Sequence, residues 1–138
     1  MSELVDDNYC FGCGSENPAG LKLKLCPADD NSMICAFTPQ RIHQGFKGVV
    51  HGGLISLIFD EIAVNHLRHL GLEAVSANMQ IRLLRPAKTL SPLNFCSKII
   101  KETRKTMHVQ CLCEDDAGSR VAEGVITCMI FTKALNNI

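Results

Sequence analysis

The sequence predicts an α+β domain in which an antiparallel sheet wraps one long buried helix. Three observations predict it. Residues 52–70 are apolar almost all round, with Leu54, Ile55, Leu57, Ile58, Phe59, Ile62, Ala63, Val64, Leu67 and Leu70 leaving little polar face, which is the pattern of a buried helix. Four segments after it read as strands joined by short connections, and successive strands favour an antiparallel sheet over a helix-alternating parallel one. A shorter two-strand pattern precedes it. The chain has 138 residues, so one domain over 1–138 is expected, with 1–20 as an amino-terminal loop segment.

In order, Gly12, Gly14, Pro18 and Gly20 break the first twenty residues into loop. Leu21-Lys22-Leu23-Lys24-Leu25 alternates with period two and reads as a strand. Residues 27–32 are a turn, and Met33 to Thr38 returns as the second strand of a hairpin. The polar, Gly-containing stretch from Pro39 to Gly48 leads into the helix, which Gly71 ends. Val75 to Leu84 is the next strand, with Val75, Ala77, Met79, Ile81 and Leu83 on one face. Leu93 to Lys101, Met107 to Glu114 and Val121 to Thr132 follow, the last two separated by the turn Asp115-Asp116-Ala117-Gly118.

Composition narrows the class. The chain is 46% hydrophobic, and fourteen basic residues cancel fourteen acidic ones. That argues against a broad surface for nucleic acid or anionic membrane. No apolar run reaches the roughly 20 residues a bilayer demands. The start, Met1 to Asp7, lacks a basic and an apolar region, so no signal peptide is expected and a cytoplasmic protein is. Of the eight cysteines, Cys35, Cys96, Cys111, Cys113 and Cys128 lie in apolar alternating stretches and read as reduced core residues. Cys10 and Cys13 have CxxC spacing, open to zinc or redox chemistry. No second pair repeats it, since Cys111 and Cys113 form only CxC, so no metal is expected.

Chemistry concentrates at the helix. Buried carboxylates are costly unless paired or used, and this helix carries two, Asp60 and Glu61. Gly53 and Asp60 are seven residues apart, about two turns, so they share a face. Backbone N–H groups at Gly52 and Gly53 are free at a helix start, where the dipole favours negative charge. A donor for an oxyanion and a carboxylate on one helix suit acyl transfer. Glu61 points about 100° away and reads as a structural or interface residue.

His51-Gly52-Gly53 followed by Asp60 resembles the HGG-(x)6-D motif of the hotdog-fold acyl-CoA thioesterases, in the group related to the phenylacetic-acid-degradation (PaaI-like) thioesterase. The resemblance continues through Val75-Ser76-Ala77-Asn78-Met79, Arg85-Pro86-Ala87-Lys88 and Lys101-Glu102-Thr103-Arg104-Lys105. Upstream, Cys10-Phe11-Gly12-Cys13-Gly14 with Asn17-Pro18-Ala19-Gly20-Leu21 is similar to the amino-terminal signature of one branch.

That resemblance implies the hotdog fold and hydrolysis of an acyl-CoA thioester without cofactor, coenzyme A being part of the substrate. Asp60 would be general base or nucleophile, and Gly52 would donate its N–H to the oxyanion. His51 would hold the loop by hydrogen bonding or act as an acid. Ser76 would bond near the reacting group. Asn78 stands where some relatives have an acidic residue. Gly45 stands where many have asparagine, and the adjacent Gln44 can substitute in orienting water. Arg85, Lys88, Lys101, Arg104 and Lys105 match segments that contact coenzyme A. The implied assembly is a homodimer or dimer of dimers with sites at the subunit boundary. Two other readings stay open: a non-catalytic acyl-CoA-binding module, and a hydroxyacyl-thioester dehydratase using His43.

Overall fold

The computed structural model describes residues 4–133, so Met1-Ser2-Glu3 and 134–138 lie outside it. Among the described residues there are six strands and one long helix. They are β1 (Cys26–Pro27), β2 (Met33–Phe37), α1 (Gly52–His69), β3 (Leu72–Leu83), β4 (Leu93–Glu102), β5 (Thr106–Glu114) and β6 (Arg120–Lys133). A single 3-10 turn, Arg41–His43, precedes α1. All strand pairs are antiparallel, in the order β1-β2-β4-β5-β6-β3. This is the hotdog arrangement, a sheet curled around one helix.

The helix packs through one stripe. Ile55, Ile58, Phe59, Ile62, Ala63, His66 and Leu67 are buried, the i, i+3, i+4, i+7 rhythm of a face laid on a sheet. Phe59 meets Phe95 of β4 edge to face, ring centres 5.9 Å apart, a favoured aromatic geometry. Leu54, Leu57 and Val64 are only half-buried. The expected all-round burial is therefore incomplete in one chain: the sheet reaches one side of α1, and part of the other remains open.

The predicted strand at Leu21–Leu25 does not form. Its alternation is real as burial, with Leu23 buried and Lys22 and Lys24 exposed. Its backbone instead bonds the amino-terminal loop, Leu21 N–H to the Phe11 carbonyl at 3.0 Å and Leu23 N–H to Gly12 at 2.9 Å. Lys22 sits at φ 53°, which breaks an extended ribbon. The hairpin partner of β2 is the two-residue β1 that follows.

Cys35, Cys111, Cys113 and Cys128 are buried and free, as the core reading expects, while Cys96 is half-buried. Burial pushes the Cys35 and Cys128 thiols up to about 11 and Cys113 to about 12.

His66 is buried, its Nδ1 2.8 Å from the buried Ser97 hydroxyl of β4. Burial pushes its pKa below the usual histidine value. The unfolded chain then binds a proton that the folded one refuses. This contribution to stability is full above about pH 6.5 and falls as pH drops toward the depressed folded value. The thermal midpoint measured from pH 8 to 5 declines, and less steeply in His66→Gln; equal slopes would rule out His66 as a source.

Candidate active site

The start of α1 is built by its first three residues. His51 is the N-cap, and its Nδ1 accepts the Gly53 N–H at 2.9 Å. In the neutral ring the proton then sits on Nε2. The His51 N–H donates to the His43 carbonyl at 3.0 Å, and Val50 N–H to Ala87 at 2.8 Å. The Leu54 N–H returns to the His51 carbonyl. Among the described residues, the Gly52 N–H meets no acceptor. It is an open donor at the positive end of a helix of 18 residues. A Cβ on Gly52 would lie 2.6 Å from Leu83 Cδ1 of β3, so glycine lets β3 lie close over this turn.

Asp60 lies two turns further along α1. Its Oδ1 is buried and accepts no hydrogen bond among the described residues. Burial raises its pKa above the usual carboxylate value, the neighbouring Glu61 charge adds to this, and the Ser76 hydroxyl opposes both. A desolvated carboxylate with a vacant oxygen is a stronger base than one in water. The fold thus brings Ser76 to Asp60.

The other predicted residues are placed differently. The strand register slips between Ser76 and Asn78, where Ser76 faces Cys128 and Asn78 faces Thr127 of β6. An extra residue in one strand breaks the period of two. Ser76 and Asn78 therefore do not share a face by alternation, and Asn78 is exposed. The Gln44 Oε1 accepts the Gly48 N–H at 3.1 Å, which commits its oxygen to the loop. Gln44, His51, Gly53 and Leu57 line a cleft of about 430 Å³ beside the helix start.

The basic residues split into two patches. Arg85 and Lys88 precede β4, with Lys88 bridged to Val49 near the start of α1. Lys101 lies near the end of β4, and Arg104 and Lys105 in the turn to β5. The β4 residues from Leu93 to Ile100 separate them, about 25 Å of strand. All five are exposed, and none is ion-paired among the described residues.

Glu61 carries a cluster that the sequence reading did not assemble. It faces Cys10 and Cys13, whose sulfurs and its carboxylate all lie within 4.8 Å of one another.

Fold and site together define the class: a hotdog domain with an open N–H and a desolvated carboxylate on its central helix. The thioesterase superfamily pattern matches residues 47–122, which include α1 and most of the sheet. The chain belongs to the thioesterase superfamily. No curated protein matches it. Among solved structures, a Streptococcus mutans protein bound to acetyl-CoA superposes with TM-score 0.75 at 20% identity, over 80% of this chain and 90% of that one. The Escherichia coli PaaI protein of the phenylacetic acid degradation operon gives 0.75 at 17%, over 82% of each chain. Mouse thioesterase superfamily member 2 gives 0.73 at 24%, over 81% and 84%. At these identities the likeness shows the fold. No helix among the described residues is long and apolar enough to cross a membrane.

Proposed function

We propose that the protein hydrolyses an acyl-CoA thioester to a carboxylic acid and free coenzyme A. One observation carries this reading: the central helix of every copy presents both an N–H without an internal acceptor at Gly52 and a desolvated carboxylate at Asp60, so that two copies can pair them. The Gly52 N–H stabilises the oxyanion that forms when the carbonyl is attacked. Asp60 takes a proton from water as the water oxygen bonds to the carbonyl carbon, or attacks that carbon itself to give an acyl anhydride, which water hydrolyses after coenzyme A has left, restoring the carboxylate. The carbon–sulfur bond then breaks, and coenzyme A leaves as thiolate and regains a proton. Ser76 steadies Asp60, and His51 fixes the loop that exposes Gly52. No step calls on a metal or cofactor.

Gly52 and Asp60 are eight residues apart, about 12 Å along the helix. Both must come within about 3 Å of one reacting group. Even with Asp60 leaning toward the helix start, a single carbonyl does not bridge that gap. The reading therefore takes Gly52 from one copy and Asp60 from another, in a homodimer or dimer of dimers. The edge strand β3 supports this, because Val75, Met79 and Leu83 stay exposed on it, and unpaired edges invite a second strand.

Coenzyme A as the carrier is supported by the acetyl-CoA held by the Streptococcus mutans protein and by the free cationic patches. With those patches about 25 Å apart along β4, one nucleotide meets Arg85 and Lys88, or Lys101, Arg104 and Lys105, from any one chain.

A second reading, a non-catalytic acyl-CoA binder, is favoured by the commitment of Gln44 Oε1 to Gly48, which removes one group for orienting water. A panel of acyl-CoA esters, from short aliphatic to long-chain and aromatic, separates the two. Free coenzyme A is best quantified by chromatography, because exposed cysteines such as Cys26 react with thiol dyes. Turnover of one acyl class supports hydrolysis; tight binding with no release across the panel supports the binder.

A further inference from the structure

We propose that Cys10, Cys13 and Glu61 form a zinc site that fastens the amino-terminal loop to α1. None of its ligands touches the reacting group in the thioesterase reading, although the Glu61 charge bears on Asp60.

Two ligands come from the loop and the third from a helix about fifty positions away. The Cys10 sulfur lies 3.4 Å from Glu61 Oε1 and 3.6 Å from Oε2. In a tetrahedral zinc site with Zn–S near 2.3 Å and Zn–O near 2.0 Å, sulfur and oxygen ligands stand about 3.5 Å apart. The two sulfurs and the carboxylate lie within 4.8 Å of one another, so the triangle closes on one ion with only small side-chain movement. Thiolates with a carboxylate suit zinc better than magnesium or calcium, which favour oxygen alone.

The surroundings shape the site. Gly12 sits between the two cysteines, and a Cβ there would lie 2.5 Å from Glu61 Cδ. Glycine leaves room for the carboxylate to enter. The Asn65 Nδ2 donates to Glu61 Oε1 at 3.0 Å and to the Glu61 carbonyl at 2.8 Å, the outer bond that orients a metal-ligating carboxylate.

The loop has its own frame of backbone bonds. Gly14 N–H donates to Cys10 at 2.9 Å, Glu16 N–H to Asn8 at 2.9 Å, and Leu23 N–H to Gly12 at 2.9 Å. The thiols are thus free for something other than shaping the loop. Thiols are weak hydrogen-bond donors, so two aimed at one carboxylate make a poor clamp without an ion. The fourth vertex opens on a cleft of about 320 Å³ bordered by Asp7, Tyr9 and Asn65, where water completes the tetrahedron. Binding Zn²⁺ displaces the two thiol protons to solvent.

The test uses the full chain, kept in reductant, stripped with chelator and titrated with Zn²⁺ or Co²⁺ alone. The expected result is one ion per chain, with Co²⁺ giving tetrahedral visible bands and a near-ultraviolet thiolate charge-transfer band. Cys10→Ser/Cys13→Ser loses both. Cys26→Ser, which removes an exposed thiol elsewhere, loses neither. Glu61→Gln keeps the side-chain volume and weakens binding by about tenfold or more; it carries the test if the double variant fails to fold. Absence of binding to the reduced wild-type chain overturns the site. So does binding unchanged in folded Cys10→Ser/Cys13→Ser or Glu61→Gln.

Discussion

Asp60→Asn lowers coenzyme A release by about 100- to 10,000-fold, the usual worth of a positioned general base. Asparagine keeps the shape of the side chain but neither takes a proton nor attacks a carbonyl. The fold does not suffer. Asp60 is costly to hold as a carboxylate, because burial and the Glu61 charge both disfavour its ionised form and only Ser76 opposes them. Replacing it with a neutral amide leaves the thermal midpoint unchanged or raised. A loss of activity with no loss of stability separates a working carboxylate from a structural one. A fall in both together would make Asp60 a structural residue.

Gly52→Pro lowers turnover by about 100- to 1,000-fold, the usual worth of one oxyanion donor. Proline deletes the N–H and adds ring atoms that press on Leu83. Gly52 is the first helical residue, where proline is well tolerated. His51 already has φ −62° and ψ 130°, the extended conformation that a residue before proline prefers. Any side chain at 52 must push Leu83 aside, so Gly52→Ala is the control. It adds the same Cβ and keeps the donor. The ratio of the two variants measures the N–H alone, and equal rates would reduce Gly52 to a packing role.

The two variants also test the shared site. If Gly52 and Asp60 act from different copies, a mixed dimer of Asp60→Asn and Gly52→Pro protomers contains one intact pair and one doubly altered pair. Activity reappears on mixing. If both act from one chain, every pair in the mixture stays damaged and no activity returns.

The central helix and the four strands after it were legible because each carries a hydrophobic period, which reports burial in α1, β4, β5 and β6 but not in β3, where Val75, Met79 and Leu83 stay exposed and the slip after Ser76 breaks the expected face. Period does not report the partner. Leu21–Leu25 alternates and is buried on one side, yet its hydrogen bonds go to the loop at Phe11 and Gly12, and no ladder forms. The slip between Ser76 and Asn78 had no sequence signal, because Ala77 suits a regular strand as well as a bulge. The motif gave Gly52 and Asp60, whereas which N–H stays open depends on where the His51 ring turns. Sequence order did not show how the cations are spread: Arg85 and Lys88 lie before β4, and Lys101, Arg104 and Lys105 at its far end. It was silent for Glu61, although Gly12 between two cysteines was a signal that something enters there.

The most direct measurement is the rate of free coenzyme A release, by chromatography, from the best acyl-CoA of a panel, for wild type and Asp60→Asn side by side. The account predicts turnover in wild type that collapses in a folded Asp60→Asn. Equal rates in the two proteins would contradict it.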